Sequence, residues 1–468
     1  MQLSHVPGRT HASFDDPNLV SRAGLVPVMA LAQRCGLADL AAEHVRIAAR
    51  CGVNAHLKAG CLVAGMAAGA DSIDDMDVLR HGAMGELFGG VRAPSTLGSF
   101  LRSFTWGNVL QLQKVHREFL AELSRHAPLL PGADVLAFLD MDSAQERVYG
   151  HAKQGAAFGH TKIAGKTLLV RGLNALAVVI STPLAAPVIA ATRLRGGSAN
   201  SARGAASLAA EAISTARRAG CTGQIVFRVD SAYHNAKVLG AIRRAGACFS
   251  VTVPQRRDIR AAIAAIPGDA WVPITYPRAI WDEAQKRLIS DAEVAEVPYT
   301  AFALKKKGQS ITARLIVRRV KDLNRKAPAG QDELFTSWRY HALFTDSPFG
   351  MIQAESQHRD HAIVEQVFAD GNDGPLAHLP SGSFPANAAW LACAAICHNL
   401  LRAAATLAGP AFARARGITI RSQLVSVAAR IARHGRGHIT LHLPESWHRQ
   451  AGWMNLFETA CGPPAAGA

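Results

Sequence analysis

Val135-Leu136-Ala137-Phe138-Leu139-Asp140-Met141-Asp142-Ser143 is an apolar run that ends in acid. A second run, Gln224-Ile225-Val226-Phe227-Arg228-Val229-Asp230-Ser231, closes the same way. Continuous apolar stretches of this length fit strands buried on both faces of a sheet. The acids then stand at the strand ends, where ligands approach an α/β sheet. Alternate residues of a strand share a face, so Asp140 and Asp142 point the same way. Asp142 is nearer the strand end and is the preferred site residue, with Asp140 as its alternative.

Outward from these runs, strands are expected at 135–142, 167–171, 175–181, 187–193, 224–230 and 248–254, and helices at 201–219, 234–245 and 256–266. This alternation predicts an α/β sheet of mixed or parallel order. Extended segments at 294–304, 311–320 and 337–345 break the pattern and read as an antiparallel β insertion. Helical spacing returns from 351 to about 408 and again over 422–434, followed by an edge strand near 437–444 and a disordered tail at 461–468. Before the sheet, residues 18–130 read as helical. The expected organisation is a helical N-terminal domain (1–130) in which short helices offer a helix-turn-helix for DNA, the first part of an α/β core (131–266), a β-rich insertion (267–350), the rest of the core (351–408) and a basic C-terminal region (409–468).

A third acid lies in that later part. Glu365 follows His361 by four residues and His358 by seven, which places all three on one face of a continuous helix. Asn372 falls on the same face, although Gly371 and Gly374 predict that the helix ends there. Each acid alone has a plainer reading, a helix cap for Asp230 and a solvated stripe for Glu365. Together, two strand-end carboxylates and one from a helix are what holding two divalent metals against a phosphodiester requires.

The chain carries 51 Lys and Arg against 35 Asp and Glu, a net charge of +16, which favours a polyanionic partner. Residues 1–130 contribute 12 basic and 11 acidic residues, so nearly all the excess travels with the acidic motifs. Eight scattered cysteines suit a reducing cytosol and argue against a disulfide or zinc framework. No signal peptide is read at the N-terminus. The one apolar stretch of membrane length, 386–409, contains His398, Asn399 and Arg402 and reads as a buried core helix.

The order strand-Asp, strand-Asp, β insertion, helix-Glu resembles the DDE transposases of bacterial insertion sequences. The resemblance is to the insertion-sequence-1380 group, through Leu139-Asp140-Met141-Asp142-Ser143, Arg228-Val229-Asp230-Ser231, and Leu379-Pro380-Ser381-Gly382 followed by Asn387 and His398-Asn399-Leu400. It implies a ribonuclease-H-like catalytic core working on DNA in a bacterial cytoplasm, with two Mg²⁺ or Mn²⁺ ions on Asp142, Asp230 and Glu365. The implied reaction is cleavage at the element's terminal repeats and strand transfer into target DNA, by a dimer assembled on the double helix. Relatives often carry Tyr, Arg, Glu and Lys around the third acid; the matching positions here are His358, His361, Glu365 and Asn372. DNA contacts are expected from His358, His361, Lys305, Lys306, Lys307, Arg318 and Arg319, with Trp281 or Trp338 stacking on an extruded base. The competing expectations are a nuclease that cuts without joining and an inactive DNA-binding derivative.

Overall fold

The computed structural model describes residues 4–48, 50–163, 166–275, 281–283, 286–288, 292–304, 308–321 and 338–462. The two apolar runs become neighbouring strands at the centre of one ten-stranded sheet. In chain order its strands are β1 (Leu136–Arg147), β2 (Ala157–Ile163), β3 (Lys166–Ser181), β4 (Val188–Gly196), β5 (Gln224–Val229), β6 (Cys248–Thr252), β7 (Val272–Ile274), β8 (Ala292–Ala301), β9 (Ile311–Lys321) and β10 (Trp338–Thr345). Across the sheet the order is β2-β3-β1-β5-β6-β10-β9-β8-β7, with β4 also paired to β3. β1, β5 and β6 are parallel, while β3 and β4 run antiparallel. The insertion strands β7 to β10 do not form a sheet of their own. They continue this one, joined where Leu343 pairs with Thr252.

Helices cover both faces. Among the described residues, the helices of eight residues or more before the sheet are α1 (Leu25–Arg34), α2 (Leu37–His44), α3 (Ala55–Ala68), α4 (Pro94–Arg102) and α5 (Trp106–His126). Then come α6 (Ala205–Arg218), α7 (Ala236–Arg244), α8 (Arg257–Ala264), α9 (Met351–Arg359), α10 (Ile363–Asn372), α11 (Phe384–Leu407) and α12 (Gln450–Cys461). The N-terminal helices share one hydrophobic core with the sheet, through residues such as Phe119, Leu139, Phe227 and Trp390. α11 is long and apolar enough to span a bilayer, yet 94% of that stretch is buried inside the protein. Its polar residues are there to bind backbone. β4 bulges against β3 between Val178 and Val179, and Asn399 bridges the neighbouring Ile189: it accepts from the Ile189 N–H (2.8 Å) and donates to the Ile189 carbonyl (2.8 Å).

Three sequence expectations fail, the first because pairing with β3 carries β1 on to Arg147, which puts Asp142 inside the strand rather than at its end. The 422–434 segment is not a helix: it is a π-turn, Arg421–Val425, and a short strand, Ala429–Arg433. That strand pairs with the distant Leu19–Val20 and with the nearby Ile439–His442, so strand partners override the helical propensity of its alanines. The helix expected to carry His358, His361 and Glu365 together is interrupted by a 3-10 turn at Asp360–Ala362. The reason is local, since the His361 ring nitrogen Nδ1 meets the His358 carbonyl at 2.6 Å and competes for an acceptor that the helix would use. Of the tail expected at 461–468, Cys461 closes α12, and residues 463–468 lie outside the described residues.

Asn399 is fully buried. Asn399→Ala strands the backbone N–H and C=O of Ile189 and is expected to cost about 2–3 kcal/mol, read as a lower urea midpoint at unchanged m-value.

Candidate active site

The site is built on the β1–β5 register. Asp140 pairs with Arg228, so Asp142 and Asp230 stand two residues further along their own strands. Below them Arg228 holds Asp140 in a two-pronged ion pair, Nε to Oδ1 at 2.6 Å and Nη2 to Oδ2 at 2.7 Å, with both side chains at most 2% exposed. The guanidinium lies over the Phe138 ring at 4.1 Å, and its remaining nitrogen donates to the Gln357 carbonyl on α9 at 2.5 Å. One buried cation therefore binds both acid-bearing strands to the helix that leads towards Glu365.

Asp142 is half-buried and accepts from the Ser143 N–H at 2.7 Å. Burial pushes its carboxyl up to about 6, and the charges of Asp230 and Glu365 push the same way while His361 opposes them. Asp142 thus feels both other acids. Asp230 caps the 3-10 turn Ser231–Tyr233 by accepting from the Ala232 N–H at 3.0 Å, and Asn235 separately caps α7. Glu365 is exposed on the first turn of α10, which packs Val364 and Val367 against Val179, Ile189 and Ala395 on the Asp142 face of the sheet. Among the described residues no three His, Cys, Asp or Glu side chains converge closely enough to hold a metal ion.

A family model described as transposase DDE domain group 1 matches residues 8–459 of the chain. The chain belongs to the DDE transposase family. No curated protein matches it. Members of this family cleave and transfer DNA and generally use divalent metal ions.

In this transposase His358 is internal. It is buried, its two ring nitrogens meet Ser250 Oγ and Thr252 Oγ1 at 2.9 Å each, and its ring stacks on His361 at 4.9 Å. Burial, reinforced by His361, Arg228 and Arg318, holds its imidazole well below the usual range and therefore neutral. Arg318 pairs with the buried Glu355 at 3.0 Å, which also binds Arg359 at 3.0 Å. Arg319 pairs with Glu293 and is sandwiched between Trp271 (4.1 Å) and Trp338 (4.4 Å). Trp281 is exposed on a two-residue strand. Lys305, Lys306 and Lys307 lie outside the described residues.

Two features escaped the sequence reading. Behind Asp142, on the other face, Arg195 is buried and held by amide and carbonyl oxygens rather than by a carboxylate among the described residues. It donates to Asn174 Oδ1 (2.9 Å) and to the carbonyls of Ser201 (2.8 Å) and Arg203 (3.0 Å), beside the buried Tyr233. Further along β1, Glu146 is 4% exposed with Oε1 lacking a hydrogen bond, and burial alone pushes its carboxyl up to about 7.

Arg228→Met leaves Asp140 buried without its cation and is expected to destabilise the fold by about 3–5 kcal/mol. Adding Asp140→Leu should recover most of that loss; a single-variant loss below about 1 kcal/mol in chemical denaturation would contradict the crosslink. Glu146 supplies a pH signature. The folded chain keeps a proton that the unfolded chain releases, so wild-type stability falls as pH rises from about 4.5 to 7, by on the order of 2 kcal/mol. Glu146→Gln should flatten that decline, giving a gain at pH 8 and none at pH 4.

Proposed function

We propose that this chain is the transposase of a bacterial insertion sequence of the 1380 group, acting on DNA in the cytoplasm through a ribonuclease-H-like core. The strand order β4-β3-β1-β5-β6, antiparallel in its first three members and parallel in its last three, supports that core. The observation that carries the catalytic reading is that the charges of both Asp230 and Glu365 reach Asp142, across 223 residues of chain.

Three carboxylates form a hard oxygen donor set suited to Mg²⁺ or Mn²⁺, and the charges of Asp230 and Glu365 near Asp142 would favour a cation there. Asp142 would bind both ions, Asp230 one and Glu365 the other. When bound, such ions lower the pKa of an attacking water or 3′-hydroxyl and neutralise the leaving oxygen. Asp142 and Asp230 are pre-set by their strands, whereas Glu365 has to be brought in by α10. Asp140 is set aside as a ligand because Arg228 occupies both of its oxygens. His358 becomes the support on which His361 stacks, and His361 is the better candidate to face a phosphate. Arg318 and Arg319 brace the insertion, while exposed Trp281 keeps its role as a stacking candidate. The partners are the element's terminal repeats and a target duplex, held by a dimer formed on DNA.

The lack of three converged ligands favours one second reading, an inactive DNA-binding derivative. Mg²⁺-dependent cutting of duplexes bearing the element's ends separates the two. Wild type is expected to cut and then join the cut end to target DNA, and Asp142→Ala, Asp230→Ala and Glu365→Ala should each lose more than the roughly 10- to 100-fold typical of outer-shell changes while still binding DNA. Binding without any cutting by wild type would establish the second reading, and cutting without joining a simple nuclease.

A further inference from the structure

From Arg147 to Ala210 the chain carries eight Lys and Arg and no Asp or Glu. Part of this acid-free stretch leaves the sheet as a two-stranded ribbon. Among the described residues, the only strand in register with Lys166–Arg171 is β2, whereas β1 and β4 enter the register of β3 at Gly172 and Leu173. At about 3.3 Å per residue the ribbon reaches roughly 20 Å beyond the sheet, and its base at Arg147 is roughly 17 Å along β1 from Asp142.

The ribbon's surface is unusual for a free edge. Phe158 is 59% and Leu169 57% exposed, and His160 is exposed opposite Leu169. Leu169 and Arg171 are in step along β3 with Ala177, the partner of Asp142, so Phe158, His160 and Leu169 carry on the face of the sheet that bears the acids. At the base, the Arg147 guanidinium lies 5.1 Å over the exposed Tyr149 ring. A lone two-stranded ribbon is marginal in water and gains by lying against something. The absence of acid selects a polyanion, and the major groove of B-DNA, about 12 Å wide, admits a two-stranded β-ribbon.

We propose that this ribbon lies in the major groove of the duplex held at the Asp142 site and reads its base edges, with Phe158 and Leu169 against thymine methyl groups and His160 as a hydrogen-bonding group. The proposal rests on the transposase reading above and adds a sequence-reading element to it. An anionic membrane is the rival partner for a basic ribbon with exposed apolar residues.

The test is selection of preferred sites from a pool of randomised duplexes by full-length wild type and by Phe158→Ala/Leu169→Ala. Wild type should enrich a motif, and the double variant should lose a contiguous block of it and bind the wild-type winner roughly 10- to 100-fold more weakly. Both side chains are exposed, so an unchanged thermal midpoint will show that the fold is intact. The major-groove ligand methyl green should displace wild type where the minor-groove ligand netropsin does not. An unchanged motif at unchanged affinity overturns the inference, as does a loss confined to binding of phosphatidylserine vesicles. Metal-dependent nicking by wild type separates the layers: if it nicks and the variant's motif is unchanged, only the ribbon assignment fails, whereas wild type that neither nicks nor selects a sequence brings down the transposase reading as well.

Discussion

The pairing of Asp140 with Arg228 is the constraint on which the acid-bearing half of the molecule depends. Two charges almost wholly removed from water are tolerable only if they find each other, because either one left alone costs several kcal/mol. β1 and β5 therefore have one acceptable register, since a slip of a single residue would turn every side chain to the other face. The acids two residues further along each strand inherit that alignment. The same guanidinium reaches Gln357, and the next residue, His358, is bonded to Ser250 and Thr252 of β6. Three neighbouring strands and one helix thus share a single polar junction beneath the acids.

Much of this was legible in the residues. Apolar runs ending in acid gave β1 and β5, and the extended segments after 290 gave the antiparallel strands, because burial on two faces leaves a continuous pattern. Asp140-Met141-Asp142 and Arg228-Val229-Asp230 are matching triplets, but the pairing of Asp140 with Arg228 was not foreseen, and Asp140 stood as the alternative ligand. What stayed hidden had long-range causes. β2 was not foreseen because Ala157-Phe158-Gly159-His160 has no strand-like alternation and is defined by its partner. The polar end of β1, through Gln145 and Glu146, is held extended by β3. The strand at Ala429–Arg433 depends on a partner some 410 residues earlier in the chain. The break before Glu365 comes from one imidazole competing for one carbonyl, which periodicity cannot register.

Net charge was the least transferable of the sequence signals. Arg416 binds Asp370 and Asp373, Arg430 binds Asp16, Arg433 binds Glu86, and Arg414 donates to the carbonyls of Pro183 and Leu184. Those arginines fasten the C-terminal region to the rest of the protein, so the count of 51 Lys and Arg overstates the cationic surface they offer. The stretch from Arg147 to Ala210 has no acid of its own, although Arg193 pairs with Glu211 just beyond it and Arg195 is buried. Distribution along the chain, rather than the sum, separates internal ties from surface.

The position of α11 in the chain bears on how the protein is made. Val364 and Val367, which seat the Glu365 helix, pack against Ala395 of a helix that is synthesised after all three acids. A growing chain can complete β1 and β5, and even extrude Glu365, without yet having the surface that holds it in place. The full seating of Glu365 must wait for one of the last core segments to leave the ribosome. Fragments released early therefore lack part of the surface that seats the third acid.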